Sequence, residues 1–188
     1  MARWFLTLSL VTACVAPVAA QAPVEPSRII ASPTPTEYTG FGSWVAAIGD
    51  ADGDTFRDLV VAAPSGSSPG AYQAGRVYLV SSAGGALSQV ESPHPVRDGL
   101  FGFAAAFLGD LNGDNRRETV VGAPGEGPTV DTPDDSGRAY VLAGGSGDLL
   151  FALASPNPVP YGNFGQTVAG PGDVTGDGVP DVAVGAPR

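Results

Sequence analysis

The feature that most constrains this chain is that it repeats itself. FGSWVAAIGDADGDTFRDLVVAAP begins at Phe41, FGFAAAFLGDLNGDNRRETVVGAP at Phe101 and FGQTVAGPGDVTGDGVPDVAVGAP at Phe164. The three align without a gap. Ser32-Pro33, Ser92-Pro93 and Ser155-Pro156 precede them at equal distance, and Gly75-Arg76-Val77-Tyr78 corresponds to Gly137-Arg138-Ala139-Tyr140. A period of about 60 residues means one supersecondary unit used several times, with neighbouring units covering each other's apolar faces.

The texture of a unit is β. Leu59 to Ala63, Val77 to Val80 and Val182 to Ala186 are short, Val-rich runs bounded by Gly, Pro, Asp and Ser, the pattern of buried strands. With 27 Gly and 18 Pro in 188 residues, long helices are disfavoured. The first unit offers four strand candidates, near 43–49, 58–63, 75–82 and 87–91. Four strands at this period predict an all-β chain of β-propeller blades, each of four antiparallel strands. The units run over 28–95, 96–158 and 159–188. The last stops after its second strand, so about two and a half blades are present. Ring closure therefore requires further blades, expected from a C-terminal part beyond this sequence.

The start of the chain reads differently. Arg3 precedes an apolar run from Trp4 to Ala20, and Val18-Ala19-Ala20 before Gln21 suits signal-peptidase cleavage. Residues 1–20 are read as a secretory signal and 21–27 as a short linker, which predicts a secreted or cell-surface protein. A variant reading takes Val11-Thr12-Ala13-Cys14 as a lipobox, with a lipid anchor on Cys14. No later segment is apolar enough for membrane insertion. Cys14 is the only cysteine, so an exported domain must be held by its core or by metals rather than disulfides. Nine basic residues against 19 acidic ones, with no lysine, give a net charge of −10. That balance excludes nucleic acid and anionic membrane surfaces as partners and favours cations.

Ten of those acidic residues stand in three aligned loops. Asp50, Asp52, Asp54 and Asp58 occupy positions 1, 3, 5 and 9 of the first. Asp110, Asn112, Asp114 and Glu118 take these places in the second, and Asp173, Thr175, Asp177 and Asp181 in the third. Alternation at 1, 3 and 5 lets a curved loop aim successive oxygens at one centre, and Gly53, Gly113 and Gly176 at position 4 permit the turn. Position 7 (Phe56, Arg116, Val179) varies freely, as expected of a residue that supplies only a backbone carbonyl. Six or more hard oxygens suit Ca²⁺, with Mg²⁺ second. Transition metals want His or Cys, and only His94 follows the signal. The loop shares its opening with an EF-hand, but position 12 is Val61, Val121 or Val184 where that motif has glutamate. The predicted role is structural, because saturated coordination leaves no place for a reactive water. Polar turns alone explain one such loop, but not carboxylates at 1, 5 and 9 in all three.

With these residues in view, the chain resembles the FG-GAP repeat family, known from the propeller of integrin α subunits. Phe41-Gly42, Phe101-Gly102 and Phe164-Gly165 open the units; Gly122-Ala123-Pro124 and Gly185-Ala186-Pro187 close the core motif, with Ala62-Ala63-Pro64 departing from it. The resemblance implies a propeller, usually seven-bladed, with calcium loops between the first two strands of a blade. It also implies extracellular binding or adhesion toward a protein or glycan ligand, without catalysis. The rival reading is an accessory propeller of a secreted hydrolase, as in the phospholipase D that cleaves glycosylphosphatidylinositol anchors. The repeats begin soon after the signal, which favours the binding reading.

Other signals carry less. Gly66-Ser67-Ser68-Pro69-Gly70 fits a nucleophile elbow in letters only, since it lies in a Pro-rich loop without a strand–helix context. His94 is expected in a solvent-exposed loop. Asp131, Asp134 and Asp135 belong to a polar insertion, and Phe41, Phe101 and Phe164 are expected between blades as core.

Overall fold

The computed structural model describes residues 29–35, 38–50, 54–82, 86–127 and 135–187. The signal, the linker, Asp52, Gly53, Asp131 and Asp134 lie outside the described residues. The repeats belong to a unit spanning Ser32–Arg188.

Ten strands follow one another: β1 Val45–Ala47, β2 Leu59–Ala63, β3 Arg76–Val80, β4 Ala86–Glu91, β5 Ala104–Phe107, β6 Thr119–Ala123, β7 Arg138–Leu142, β8 Leu149–Ala154, β9 Thr167–Gly172 and β10 Asp181–Gly185. Among the described residues there is no helix. The strands form three antiparallel sheets in sequence order, β1-β2-β3-β4, β5-β6-β7-β8 and the pair β9-β10. These are propeller blades of four antiparallel strands, the third present as its first two. Register repeats with the sequence. Val61 faces Tyr78 and Val121 faces Tyr140, and both blades carry an irregularity late in the third strand, at Leu79/Val80 and Val141/Leu142.

Period-two alternation decides how the blades stack. Val60, Ala62, Val77 and Leu79 of the first blade form one buried cluster with Ala105, Val121, Ala123, Tyr140 and Leu142 of the second. The intervening residues Val120, Ala139 and Val141 face the other way, joining Leu108 and Phe164 against Val168, Val182 and Val184. A blade is thus apolar on both faces, which is why its central strands read as unbroken Val-rich runs.

The Phe-Gly pairs sew this seam. Phe101 is fully buried and Phe164 nearly so. Gly75 and Phe101 form a parallel bridge, as do Gly137 and Phe164. The approach admits only glycine: at Gly137, with φ +87°, an added Cβ would stand 2.1 Å from the Phe164 carbonyl oxygen. In the first two blades the ring also meets the blade's own tyrosine, Phe41 on Tyr78 at 5.4 Å and Phe101 on Tyr140 at 5.6 Å, both edge-on. A Cβ on Gly122 would lie 1.9 Å from the Gly165 oxygen, whereas the first blade carries a fully buried alanine, Ala62, at the aligned position. The Ser-Pro pairs have a local function: each serine Oγ accepts the backbone N–H two residues on, from Thr34, His94 and Asn157.

Candidate metal centre

Each acidic loop joins the first strand of a blade to the second: β1 to β2, β5 to β6 and β9 to β10. In the first two, a pair of backbone hydrogen bonds closes the neck. Ile48 N–H donates to Asp58 O (2.7 Å) and Asp58 N–H to Gly49 O (3.2 Å); Leu108 and Glu118 repeat this with Glu118 and Gly109 (2.9 and 3.3 Å). Position 9 is thereby fixed on a strand end, facing the loop.

Inside the loop, the position-1 carboxylate gathers the turn. Asp110 accepts N–H groups from Gly113 (2.6 Å), Asp114 (3.2 Å) and Asn115 (2.8 Å). Asp173 accepts those of Gly176, Asp177 and Gly178 at matching distances. Asp50 accepts those of Asp54 (3.0 Å) and Thr55 (2.8 Å). Position 5 then accepts the N–H of position 7 in every loop: Asp54 from Phe56, Asp114 from Arg116 and Asp177 from Val179. Burial opposes ionisation of Asp110, but the N–H groups of Asn115, Gly113, Asp114 and Asn112 outweigh it and hold this carboxyl below the usual range. For Asp173 the Gly178 N–H leads, joined by Gly176, Asp177 and the Thr175 side chain, with the same result. Both carboxyls are therefore ready as anions.

The second loop brings its carboxylates together most closely. Asp110, Asp114 and Glu118 offer oxygens that all lie within 4.8 Å of one another, and among the described residues no other such group forms. Position 9 is held by equivalent backbone N–H groups in the three loops. Asp58 is fully buried and accepts the Ser82 N–H (2.9 Å), while Asp181 turns to the N–H groups of Val174 and Thr175 (2.7 and 3.0 Å). Glu118 combines both kinds of contact, accepting the Leu111 N–H at 2.5 Å and that of Gly144 at 3.5 Å. Asn112 at position 3 accepts the Asp114 N–H through Oδ1 and donates to Asp114 Oδ2 (3.2 Å). The side chains at position 7 point outward: Phe56 is 67% and Val179 48% exposed, and Arg116 is exposed. Anionic oxygens crowded without His or Cys fit a hard cation such as Ca²⁺, whose charge would offset their mutual repulsion.

Position 6 is a feature that sequence reasoning missed. Thr55, Asn115 and Gly178 all hold positive φ, at +75°, +65° and +88°, beside Gly113 and Gly176 at position 4. Asn and Gly signal such a turn, but Thr conceals it.

The FG-GAP repeat profile matches residues 41–80, 101–142 and 164–188, the three units just described. The chain belongs to the FG-GAP repeat family. Integrin alpha-PS2 of Drosophila melanogaster is 34% identical over 170 residues, covering 80% of this FG-GAP chain and 11% of that protein. Phosphatidylinositol-glycan-specific phospholipase D of Bos taurus is 32% identical over 182 residues, covering 87% of this chain and 21% of its own. Integrin alpha-2 of Bos taurus is 33% identical over 159 residues, with 78% and 13% covered. The chain thus spans between a tenth and about a fifth of the length of these relatives.

Two further groups matter in this FG-GAP chain. Glu126 is buried although its Gly-Glu-Gly setting reads as an exposed turn. It accepts hydrogen bonds from the Ser92 and Tyr140 hydroxyls. Burial raises its carboxyl to about 7, against the opposing pull of Ser92, Tyr140 and Arg138. No repeat pattern announces it, since the aligned residue is Gly66. His94 is half-buried rather than exposed, because its Pro-flanked loop lays the ring 6.4 Å from Tyr140. Ser68 is buried in a turn, bridged to Ala71, which is no setting for a nucleophile.

Proposed function

We propose that this chain is a calcium-stabilised propeller segment of an exported protein, working as a binding or adhesion module toward an extracellular protein or glycan, with no catalysis of its own. The observation that carries the reading is the acidic loop in triplicate, always between first and second strands, with Asp110, Asp114 and Glu118 already clustered. Asp50, Asp52, Asp54 and Asp58, with the Phe56 carbonyl, would hold one ion. Asp110, Asn112, Asp114 and Glu118, with the Arg116 carbonyl, would hold a second. Asp173, Thr175, Asp177 and Asp181, with the Val179 carbonyl, would hold a third. Each ion would clamp the first strand to the second and offset carboxylate repulsion, a stabilisation that replaces disulfides.

Titration calorimetry with Ca²⁺ on the purified protein tests it. At least three sites are expected from these loops, and EDTA should lower the melting temperature. An unaltered melting curve after verified calcium removal sinks the structural role, and a flat isotherm sinks the metal. The second reading, an accessory propeller of a secreted hydrolase, is favoured by the phospholipase D relative, which matches more of this chain than the integrins do. The two readings part on whether the same reading frame encodes a hydrolase domain with clustered histidines.

A further inference from the structure

Between the first and second acidic loops lies a cleft of 540 Å³. Its walls include Asp50, Phe56 and Arg57 from one loop and Asp114, Arg116 and Arg117 from the other. It follows the junction of the first two blades, where the Arg117 stem lies over Gly49: a Cβ there would meet its Cδ at 3.7 Å. Three arginines line this one cleft, a third of all basic residues in a chain of net charge −10. Among the described residues the one ion pair is Arg97–Asp98, so these three arginines engage no carboxylate. The acids beside them are turned to their own loops, Asp50 to the N–H groups of Asp54 and Thr55 and Asp114 to that of Arg116. Phe56 adds an apolar ring, two-thirds exposed, to the same wall.

We infer that this cleft binds an anionic sugar, a pyranose bearing a carboxylate. The guanidinium groups pair with the carboxylate, in two-pronged fashion where geometry allows. The Phe56 face covers the C–H face of the ring, and the Asn115 side-chain oxygen accepts from a hydroxyl. A pyranose also offers a C–H face to the exposed Phe56 ring, which the backbone of an acidic peptide does not. A concave volume of this size also suits a small polar ligand better than the broad area that a folded partner covers. The inference rests on the calcium reading for its field: with ions on both loops, the charges of Asp50 and Asp114 are offset and the arginines dominate the cleft.

The test begins with the Ca²⁺ isotherm of the purified protein, which decides the calcium reading alone. At saturating calcium, methyl β-glucuronide is then titrated against methyl β-glucoside, its neutral counterpart, and N-acetyl-aspartate methylamide, an acidic peptide unit. Glucuronide should bind at least about tenfold more tightly than either. Arg57→Gln and Arg117→Gln should each weaken it by about tenfold while leaving the calcium isotherm in place. Equal binding of glucuronide and glucoside, tighter binding of the aspartate derivative, or no glucuronide binding by calcium-loaded protein overturns the inference.

Discussion

Replacing Glu126 by Gln should make the stability of this protein less dependent on pH, with the largest difference under alkaline conditions. The carboxyl is buried between Ser92, on the segment joining the first two blades, and Tyr140 of β7, and both hydroxyls donate to it. Its folded-state value is raised from 4.5 to about 7, mainly by burial. A raised carboxyl favours the protonated folded state. Its contribution is therefore fully present below about pH 4.5 and is lost as pH rises through about 7. At 1.36 kcal/mol per pKa unit, the loss amounts to about 3 kcal/mol. Glutamine has the same shape, accepts from one hydroxyl through Oε1 and donates to the other oxygen through Nε2, and does not ionise. Wild type and Glu126→Gln should be about equally stable near pH 4.5. By pH 8.5 the variant should melt higher by about 6–12 °C, taking 2–4 °C per kcal/mol for a domain of this size. Calorimetric melting across this range is the assay, read as the difference between the two proteins so that the calcium-loop carboxylates cancel. Parallel curves, or a variant that is the less stable at pH 8.5, refute the argument.

Three further outcomes follow from the same geometry. Gly137→Ala should destabilise by more than about 3 kcal/mol, because left-handed backbone and a clash with the Phe164 carbonyl coincide; denaturant titration checks it, and a loss under about 1 kcal/mol means that the seam yields. Thr55→Gly should stabilise by about 0.5–1 kcal/mol, since release of a β-branched residue from φ +75° outweighs the entropy of glycine; a loss of stability in chemical denaturation would assign the Thr55 side chain a function of its own. Asp54→Ala, Asp114→Ala and Asp177→Ala should each delete one site from the calcium isotherm, and the first loop, with four carboxylates against three, should fill first; an intact stoichiometry in any variant removes that loop from the metal set.

The sequence was most legible where one physical requirement recurs three times. Strand positions, their order in each sheet and the place of the acidic loops all follow from the alignment of Phe41, Phe101 and Phe164. At Phe101 and Phe164 the same bridge to a glycine of the preceding blade recurs, while Phe41, which no such bridge holds among the described residues, is only half-buried. Legibility failed where the units differ. Glu126 has Gly66 as its counterpart, so no pattern marks it, and only the fold of the Ser92–His94 segment over Tyr140 shows that this carboxyl is enclosed. Its absence from the first blade has a consequence there, since the buried Tyr78 hydroxyl has no hydrogen-bond partner among the described residues. The position-6 turn escaped because Thr55, Asn115 and Gly178 share a backbone conformation without sharing chemistry.

Seams and loops impose different kinds of constraint on the three repeats of this chain. A seam such as Gly137 against Phe164 is a steric contact between main chains, where a single methyl group is too much. An acidic loop is an electrostatic device that tolerates Asp, Asn or Thr at position 3 and Asp or Glu at position 9, provided that oxygen is delivered. Among the described residues, the loop with Glu at position 9 holds the one cluster of carboxylates within 4.8 Å. Position 7 answers to neither side-chain constraint, and position 8 lies along the seam, with Arg117 over Gly49 and Pro180 over Gly109; Phe56, Arg57, Arg116 and Arg117 are all exposed. On the proposed reading, an ion in each acidic loop would fix the backbone and the intervening side chains would set what is bound.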